Sequence, residues 1–462
     1  MLAPRLQTDE LQGKRCLKRS LQFLLLSTLS ALLMVVYFTV NWAGYYLVEK
    51  SATSVEIYHN IWRAAQDNLY DQTKLKDWQQ WEHKFDDRIH SDADAVFYAQ
   101  QMIASLDDPY TFVMDADETK ASYNNAFGKF VGVGIEFDTA VDADGRALVA
   151  VDGKVLPALG AEGLPLVRNV LRGSPASSGG IKRGDQIESI DGVKTAGLSL
   201  DAMRALLQGQ LDTSVTVTFQ RAGQLISQPI VRREIAVPVV STAILPGNVG
   251  YLRIEHWGQL DTAEQVRQGL LELENCDSLV IDLRNNPGGL IHPVFQSLAM
   301  LMDSGLLATE HVRIPGDGYL TYQVSLTANS LQVQTQGVSV PLPRERNLSR
   351  NRPLVVLVND GTASASEIFT SALKENGRAV IIGKATYGKG VGQTYVPVGN
   401  GVRLRVTNFR TYTPLGNWVG DAHNQRFGIQ PHIDVEGAYD GRVVDAPDPQ
   451  LKTALEFLRK GP

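Results

Sequence analysis

Residues 353–393 read PLVVLVNDGTASASEIFTSALKENGRAVIIGKATYGKGVGQ. The run LVVLV is apolar at every position, as expected of a strand covered on both faces. Gly361 interrupts it, SASEIFTSALKEN follows with apolar residues at helical spacing, and AVIIG is a second apolar run of strand length. Working upstream, GNVGYLRIEHW reads as a strand and TAEQVRQGLLELE as an amphipathic helix. SLVIDLR reads as a buried strand ending on Asn285-Asn286-Pro287-Gly288-Gly289. Alternating strands and helices predict an α/β core over residues 234–462. Within it, residues 311–350 are polar and irregular and read as an insertion or cap.

Ser364 sits where a strand, after the Gly361 turn, opens into a helix. Unpaired backbone N–H groups and the positive end of the helix converge on such a position. A hydroxyl nucleophile there has oxyanion donors beside it. The Ala365 N–H is one candidate donor, and Gly288 or Gly289 supplies a second, because a Gly-Gly turn lets backbone approach closely. The hydroxyl needs a base, and the nearest histidines in sequence are His311 and His423. Lys389, between Gly388 and Gly390, is the candidate: its amine accepts a proton only when desolvation lowers its pKa from about 10.4 toward neutrality. Gln393 would orient that amine without adding a counter-charge. Other readings compete. Ser364-Ala-Ser-Glu367 is also a capping box, and a lone lysine is also a surface lysine. GKATYGK matches the start of a phosphate-binding loop, but Gly390 stands where that motif needs Ser or Thr, and VGQTYVPV reads as strand.

The remaining chain divides by composition. Residues 49–129 read as helical, with Val55, Tyr58, Trp62, Ala65 and Leu69 on one stripe widened by Ile57 and Ile61. Residues 130–233 are glycine-rich and mostly β, with VGVGIEF, SVTVTFQ and SQPIVRREI as strands and LDAMRALLQGQ as a helix. No charge occurs between Arg19 and Glu49. Leu21–Val40 has the length of a membrane span, flanked by Lys14, Arg15, Lys18 and Arg19 before it and Trp42, Tyr45 and Tyr46 after it. This predicts a cytoplasmic tail over 1–20 and an uncleaved transmembrane helix over 21–48. The catalytic part would then lie outside the inner membrane, in a periplasm or its equivalent.

A net charge of −6 over 462 residues leaves no basic excess for nucleic acid. Cys16 and Cys276 are the whole cysteine inventory, and the eight histidines form no metal-ligand pattern in sequence. No metal or organic cofactor is expected.

Several segments together resemble the carboxyl-terminal processing proteases, the tail-specific serine proteases of peptidase family S41. They are SLDDPYTFV, GVGIEF, GIKRGDQIESIDG, VIDLRNNPGG, NDGTASASEIFTSAL, GKATYGKGVGQ and GIQPHIDV with DPQLKTALEFL. The resemblance implies Ser364 as nucleophile, Lys389 as general base and Gln393 as its partner. It also implies that residues 130–233 are a PDZ domain, with Gly132, Val133, Gly134 and Ile135 as its carboxylate-binding loop. Some members carry Asp where Glu375 stands. That position lies about 16 Å down the helix from Ser364, so its role reads as structural. The implied protein is a multidomain α+β chain: a transmembrane helix, a helical segment, a PDZ domain and an S41-type core. It would be a membrane-anchored serine endopeptidase acting on proteins with exposed apolar C-termini. An adaptor or a homo-oligomer stays open, and the alternative is an inactive PDZ scaffold.

Overall fold

The computed structural model describes residues 51–126, 129–140, 148, 155–171, 173–236, 238–316, 318–437 and 448–460. These fall into two compact units, one built from residues up to 123 and from 239 onward, the other from residues 124–238.

The first unit is organised by a six-stranded sheet in the order Val240–Leu245, Val249–Ile254, Ser278–Asp282, Leu354–Val358, Val380–Gly383, Ile433–Asp434. Only the first pair is antiparallel. Ser278–Asp282 and Leu354–Val358 are buried at every residue, because the sheet is covered on both sides and successive side chains point to opposite faces. Leu279, Ile281, Val356 and Val358 pack with Val266, Leu270, Phe295, Leu298, Phe369 and Leu373 of the helices Thr262–Glu272, Ile291–Ala299 and Ala365–Glu375. Val280, Val355 and Leu357 face the other way, toward Ala454, Leu451 and Leu455 of the helix Pro449–Lys460. The two central strands are parallel neighbours, so the loops that follow them emerge at the same sheet edge. Open α/β sheets build their sites in that position.

Residues 311–350 include strands. Gly305–Ile314, Gly318–Leu326, Leu331–Thr335 and Val338–Leu342 form an antiparallel meander. It joins the hairpin Val391–Gly399/Val402–Tyr412 through Gly305–Ile314. The helices Ser54–Asn68 and Asp92–Ala104 bury Ile57, Tyr58, Ile61, Ala65, Ala99 and Met102 against Val398, Leu404 and Val406 of that hairpin. Thr53 and Glu56 cap the first of these helices reciprocally.

The second unit has its own core of Val133, Ile187, Ile190, Met203, Val215, Val217 and Phe219. Its main sheet runs Val193–Lys194, Gln186–Ile190, Ser214–Arg221, Gln224–Val231. The pairs Lys129–Gly132 with Arg233–Ala236 and Ile135–Phe137 with Val167–Val170 form two separate two-stranded sheets in the same unit. Arg221 donates to Asp185 through Nε and Nη2, both at 2.6 Å.

The membrane helix expected over residues 21–48 lies outside the described residues. Among the described residues no helix is long and apolar enough to cross a membrane. The longest, Ser54–Asn68, has 15 residues. It spans about 22 Å against about 30 Å of hydrocarbon, and it carries Glu56, Arg63 and Asp67. The expected fold class is corrected accordingly, to an α+β core with a β-rich second unit and, among the described residues, no transmembrane helix. The single-pass inner-membrane localisation, the periplasmic placement and the membrane-anchored description of function and partners are withdrawn with it.

The edge carrying the site is anchored by buried charge. Asp282, at the end of its strand, accepts the Arg284 N–H at 3.0 Å, Arg284 Nε at 2.9 Å and the Tyr251 hydroxyl at 2.7 Å. Arg284 also donates to Asp448, 2.8 Å from Nη1. Removing one partner from such a buried pair is costly. Asp282→Ala is expected to lower the unfolding free energy by about 3–5 kcal/mol, measured by chemical denaturation.

Candidate functional site

Two loops meet at this sheet edge. Asn285 N–H donates to Asn359 Oδ1 at 2.8 Å, and Asn359 Nδ2 returns a bond to Asn285 Oδ1 at 2.8 Å. Thr362 Oγ1 donates to the Leu283 carbonyl at 2.8 Å, and Ala363 N–H to the Asn286 carbonyl at 2.9 Å. A Cβ on Gly288 would lie 2.7 Å from the Ala363 carbonyl oxygen and 2.9 Å from Ala365 N, so only glycine lets the loops approach this closely.

Ser364 stands between the turn and the helix Ala365–Glu375 with φ 55° and ψ −117°. A non-glycine residue there is strained by about 1–3 kcal/mol. Sharp strand-to-helix turns that present a nucleophilic hydroxyl carry this kind of strain. Ala365, first in the helix, has an N–H without an intrahelical acceptor. The two glycines differ. Gly288 N–H is taken by Asn286 Oδ1 at 3.0 Å, whereas Gly289 N–H meets no protein acceptor among the described residues.

Glu367 ties this turn to the lysine loop. Its buried carboxylate accepts Ser364 N–H (2.8 Å), Thr386 Oγ1 (2.6 Å), Gly388 N–H (2.8 Å) and Lys389 N–H (2.8 Å). The Ser364 and Lys389 donors share one oxygen, Oε2, which brings the two backbones within about 6 Å of each other. Burial pushes the Glu367 carboxyl pKa up, and the four donors oppose it. The sequence showed this glutamate only as half of a capping box. Its second duty depends on where residues 384–390 fold.

The half-buried Lys389 amine donates to Gln393 Oε1 at 3.3 Å and sits 4.4 Å from the centre of the Tyr110 ring. Desolvation lowers its pKa to about 8, helped by the positive charge of Arg405 and opposed by Asp108 and Glu367. Arg405 Nη2 donates to the same Gln393 oxygen at 3.0 Å. Burial raises the Tyr110 phenol to about 12, so the group beside the amine is neutral. Arg405 and Tyr110 were not singled out from sequence. Tyr110 belongs to the SLDDPYTFV segment, but nothing local marks Arg405. Glu375 accepts the Leu415 N–H at 2.7 Å.

Ser364, Ala365, Gly288, Gly289, Lys389 and Gln393 therefore share one locality. Gly132, Val133, Gly134 and Ile135 lie in the second unit. Gly132 ends a strand and Val133 is buried, its carbonyl accepting Ala176 N–H at 2.8 Å. Gly134 has φ +83° and its carbonyl accepts Leu171 N–H at 3.0 Å, which bends the chain into the strand Ile135–Phe137.

A strained serine at a helix start, its backbone held through Glu367 to that of a half-buried lysine of lowered pKa, is an arrangement compatible with the serine hydrolases that use an amine as base. Comparison with known proteins makes the class specific. Residues 248–435 match the model for peptidase family S41, and residues 166–221 match a PDZ domain model. The carboxyl-terminal-processing protease of Synechocystis sp. is 29% identical over 413 residues, covering 87% of this chain and 86% of that protein. The carboxy-terminal processing protease CtpA of Bacillus subtilis is 29% identical over 339 residues, covering 72% of this chain and 62% of that protein. A solved structure of a photosystem II D1 C-terminal processing protease is 25% identical, with 84% of this chain and 94% of that chain covered and a TM-score of 0.45. Residues 248–435 are thus a serine peptidase domain of family S41, carried in one chain with a PDZ domain, and most of the chain is similar to carboxyl-terminal processing proteases.

The Glu367 clamp has a direct test. In Glu367→Ala, the backbone amides of Ser364, Gly388 and Lys389 should lose hydrogen-exchange protection together, by at least about tenfold, while those of Leu354–Val358 keep theirs. Loss at one of the three alone would show that the loops are held independently.

Proposed function

We propose that this chain is an endopeptidase that hydrolyses peptide bonds in proteins presenting apolar C-terminal tails. Residues 130–233 are the tail-binding domain in this reading. The observation that carries the catalytic part is the single Glu367 oxygen holding both the Ser364 and Lys389 backbones, with the Lys389 amine lowered to about 8.

Ser364 Oγ attacks the scissile carbonyl as the neutral Lys389 amine takes its proton. The oxyanion forms against the Ala365 and Gly289 N–H groups; Gly288 shapes the loop but has its own N–H engaged. The protonated lysine then gives its proton to the leaving amine, and water hydrolyses the acyl-enzyme through the same base. Gln393 holds the amine in line without the counter-charge that would raise its pKa. For substrate capture, the sheet edge of Ile135–Phe137 opposite Val167–Val170 carries no strand among the described residues. A peptide adding there would satisfy its backbone while its terminal carboxylate met the N–H groups of the Gly132–Ile135 loop.

Ser364→Ala and Lys389→Ala should each reduce cleavage of an apolar-tailed test protein by at least about a thousandfold. Lys389→Arg should not rescue, because a guanidinium stays protonated. Equal inertness of wild type and Ser364→Ala, with tail binding intact, would instead favour the inactive scaffold. The reactive amine is neutral, so kcat/KM should rise with pH and level off above about 8, falling about tenfold per unit below that midpoint. Arg405→Gln removes a charge that lowers this pKa. Its midpoint should move up, and its activity at pH 7.5 should fall more than its activity at pH 10.

A further inference from the structure

Three donor side chains from two separate segments converge on the N-terminal helical layer. His59 projects from the helix Ser54–Asn68, and His83 and Asp86 come from the segment that follows the turn Trp78–Trp81. His59 Nε2 lies 2.8 Å from Asp86 Oδ1, and His83 Nδ1 lies 2.9 Å from Asp86 Oδ2. One ligand atom from each residue fits within 4.8 Å of the others. The two imidazoles meet edge to face at 87°, 4.8 Å between centres.

We infer that His59, His83 and Asp86 form a binding site for one zinc-like divalent cation. Two imidazole nitrogens and a carboxylate are a donor set that such ions take, with a fourth position left for water. Tetrahedral bonds of about 2.0–2.2 Å place ligand atoms about 3.4 Å apart, so the side chains need adjust by only about 1 Å to close on an ion. The charge balance points the same way. Asp86 has no lysine or arginine partner among the described residues, and its only ion-pair partners are the two histidines. With neutral imidazoles the cluster carries a net negative charge. Glu82 Oε1, 3.9 Å from His83 Nε2, adds a carboxylate behind one ligand, the usual outer partner of a metal-bound imidazole. The way in is open, since the His83 side chain is 68% exposed while that of His59 is 25% exposed.

The frame that holds the three residues is built by packing and does not need the ion. Tyr58 Oη donates to the Trp81 carbonyl at 2.5 Å, pinning the His83 segment to the helix. Phe85, between the two ligands of that segment, is buried and stacks on Tyr98 at 4.4 Å. The site is remote in kind from the peptidase chemistry, as it contains neither Ser364 nor Lys389. It is tied to the rest of the unit through Asn60 Nδ2, which donates to the Val398 carbonyl at 2.9 Å in the hairpin strand that also carries Gln393.

The test is calorimetric titration of the metal-free full-length chain with zinc chloride at pH 7.5, with melting temperature as a second readout. Wild type and Ser364→Ala should each bind one zinc ion at this site and melt higher with zinc. His83→Ala and Asp86→Asn should bind it at least about a hundredfold more weakly and show no zinc-dependent rise. His83 is exposed, so His83→Ala should keep the metal-free melting temperature of wild type. Two outcomes overturn the inference: no stoichiometric zinc uptake by wild type up to about 1 mM, or equal uptake by wild type and the two ligand variants. In either case the cluster is a hydrogen-bonded His–Asp–His bridge and nothing more.

Discussion

One buried carboxylate organises the reactive edge of this protein. Glu367 collects donors from the serine turn and from the lysine loop, and a buried carboxylate is tolerated only when such partners are in place. The same contacts that make its burial bearable hold the backbones of the serine turn and the lysine loop together. Its position follows from the helix Ala365–Glu375, which is packed on the sheet by Phe369 and Leu373. Core packing, backbone strain at Ser364 and the spacing of the reactive groups are thus linked through one side chain.

The lysine environment shows how a basic group is kept available. Burial removes water from the amine, and Arg405 adds a like charge nearby. Gln393 accepts from both cations through one neutral oxygen. An acid at that position would reverse the effect, since an opposite charge favours the protonated form. The hairpin that carries Gln393 and Arg405 is backed by the helices Ser54–Asn68 and Asp92–Ala104, so these helices support the base from behind.

Much of the α/β core was readable because its strands are buried on both faces. Ser278–Asp282 and Leu354–Val358 are short unbroken apolar runs, and the helices between them keep a clear 3.6-residue period. The meander over 305–342 was not readable. Gly318–Leu326 alternates exposed and covered residues around polar side chains, so its composition looks like loop. At the site, Ser364, Lys389, Gln393 and the two glycines stand in local patterns that chemistry recognises. Arg405 and the group of His59, His83 and Asp86 do not, because each becomes meaningful only when distant segments pack together. Glu367 falls between these cases: the capping box was visible, but the lysine loop it also holds was not. The choice between Gly288 and Gly289 likewise needed the Asn286 side chain in place.

The central claim concerns the charge on one amine, and an NMR titration of the Lys389 side chain in the folded, full-length protein addresses it most directly. The expected result is a midpoint near pH 8, with the amine largely neutral above it. A midpoint at the ordinary lysine value of about 10.4 would mean that Lys389 stays protonated at working pH, and it would remove the lysine from the role of base.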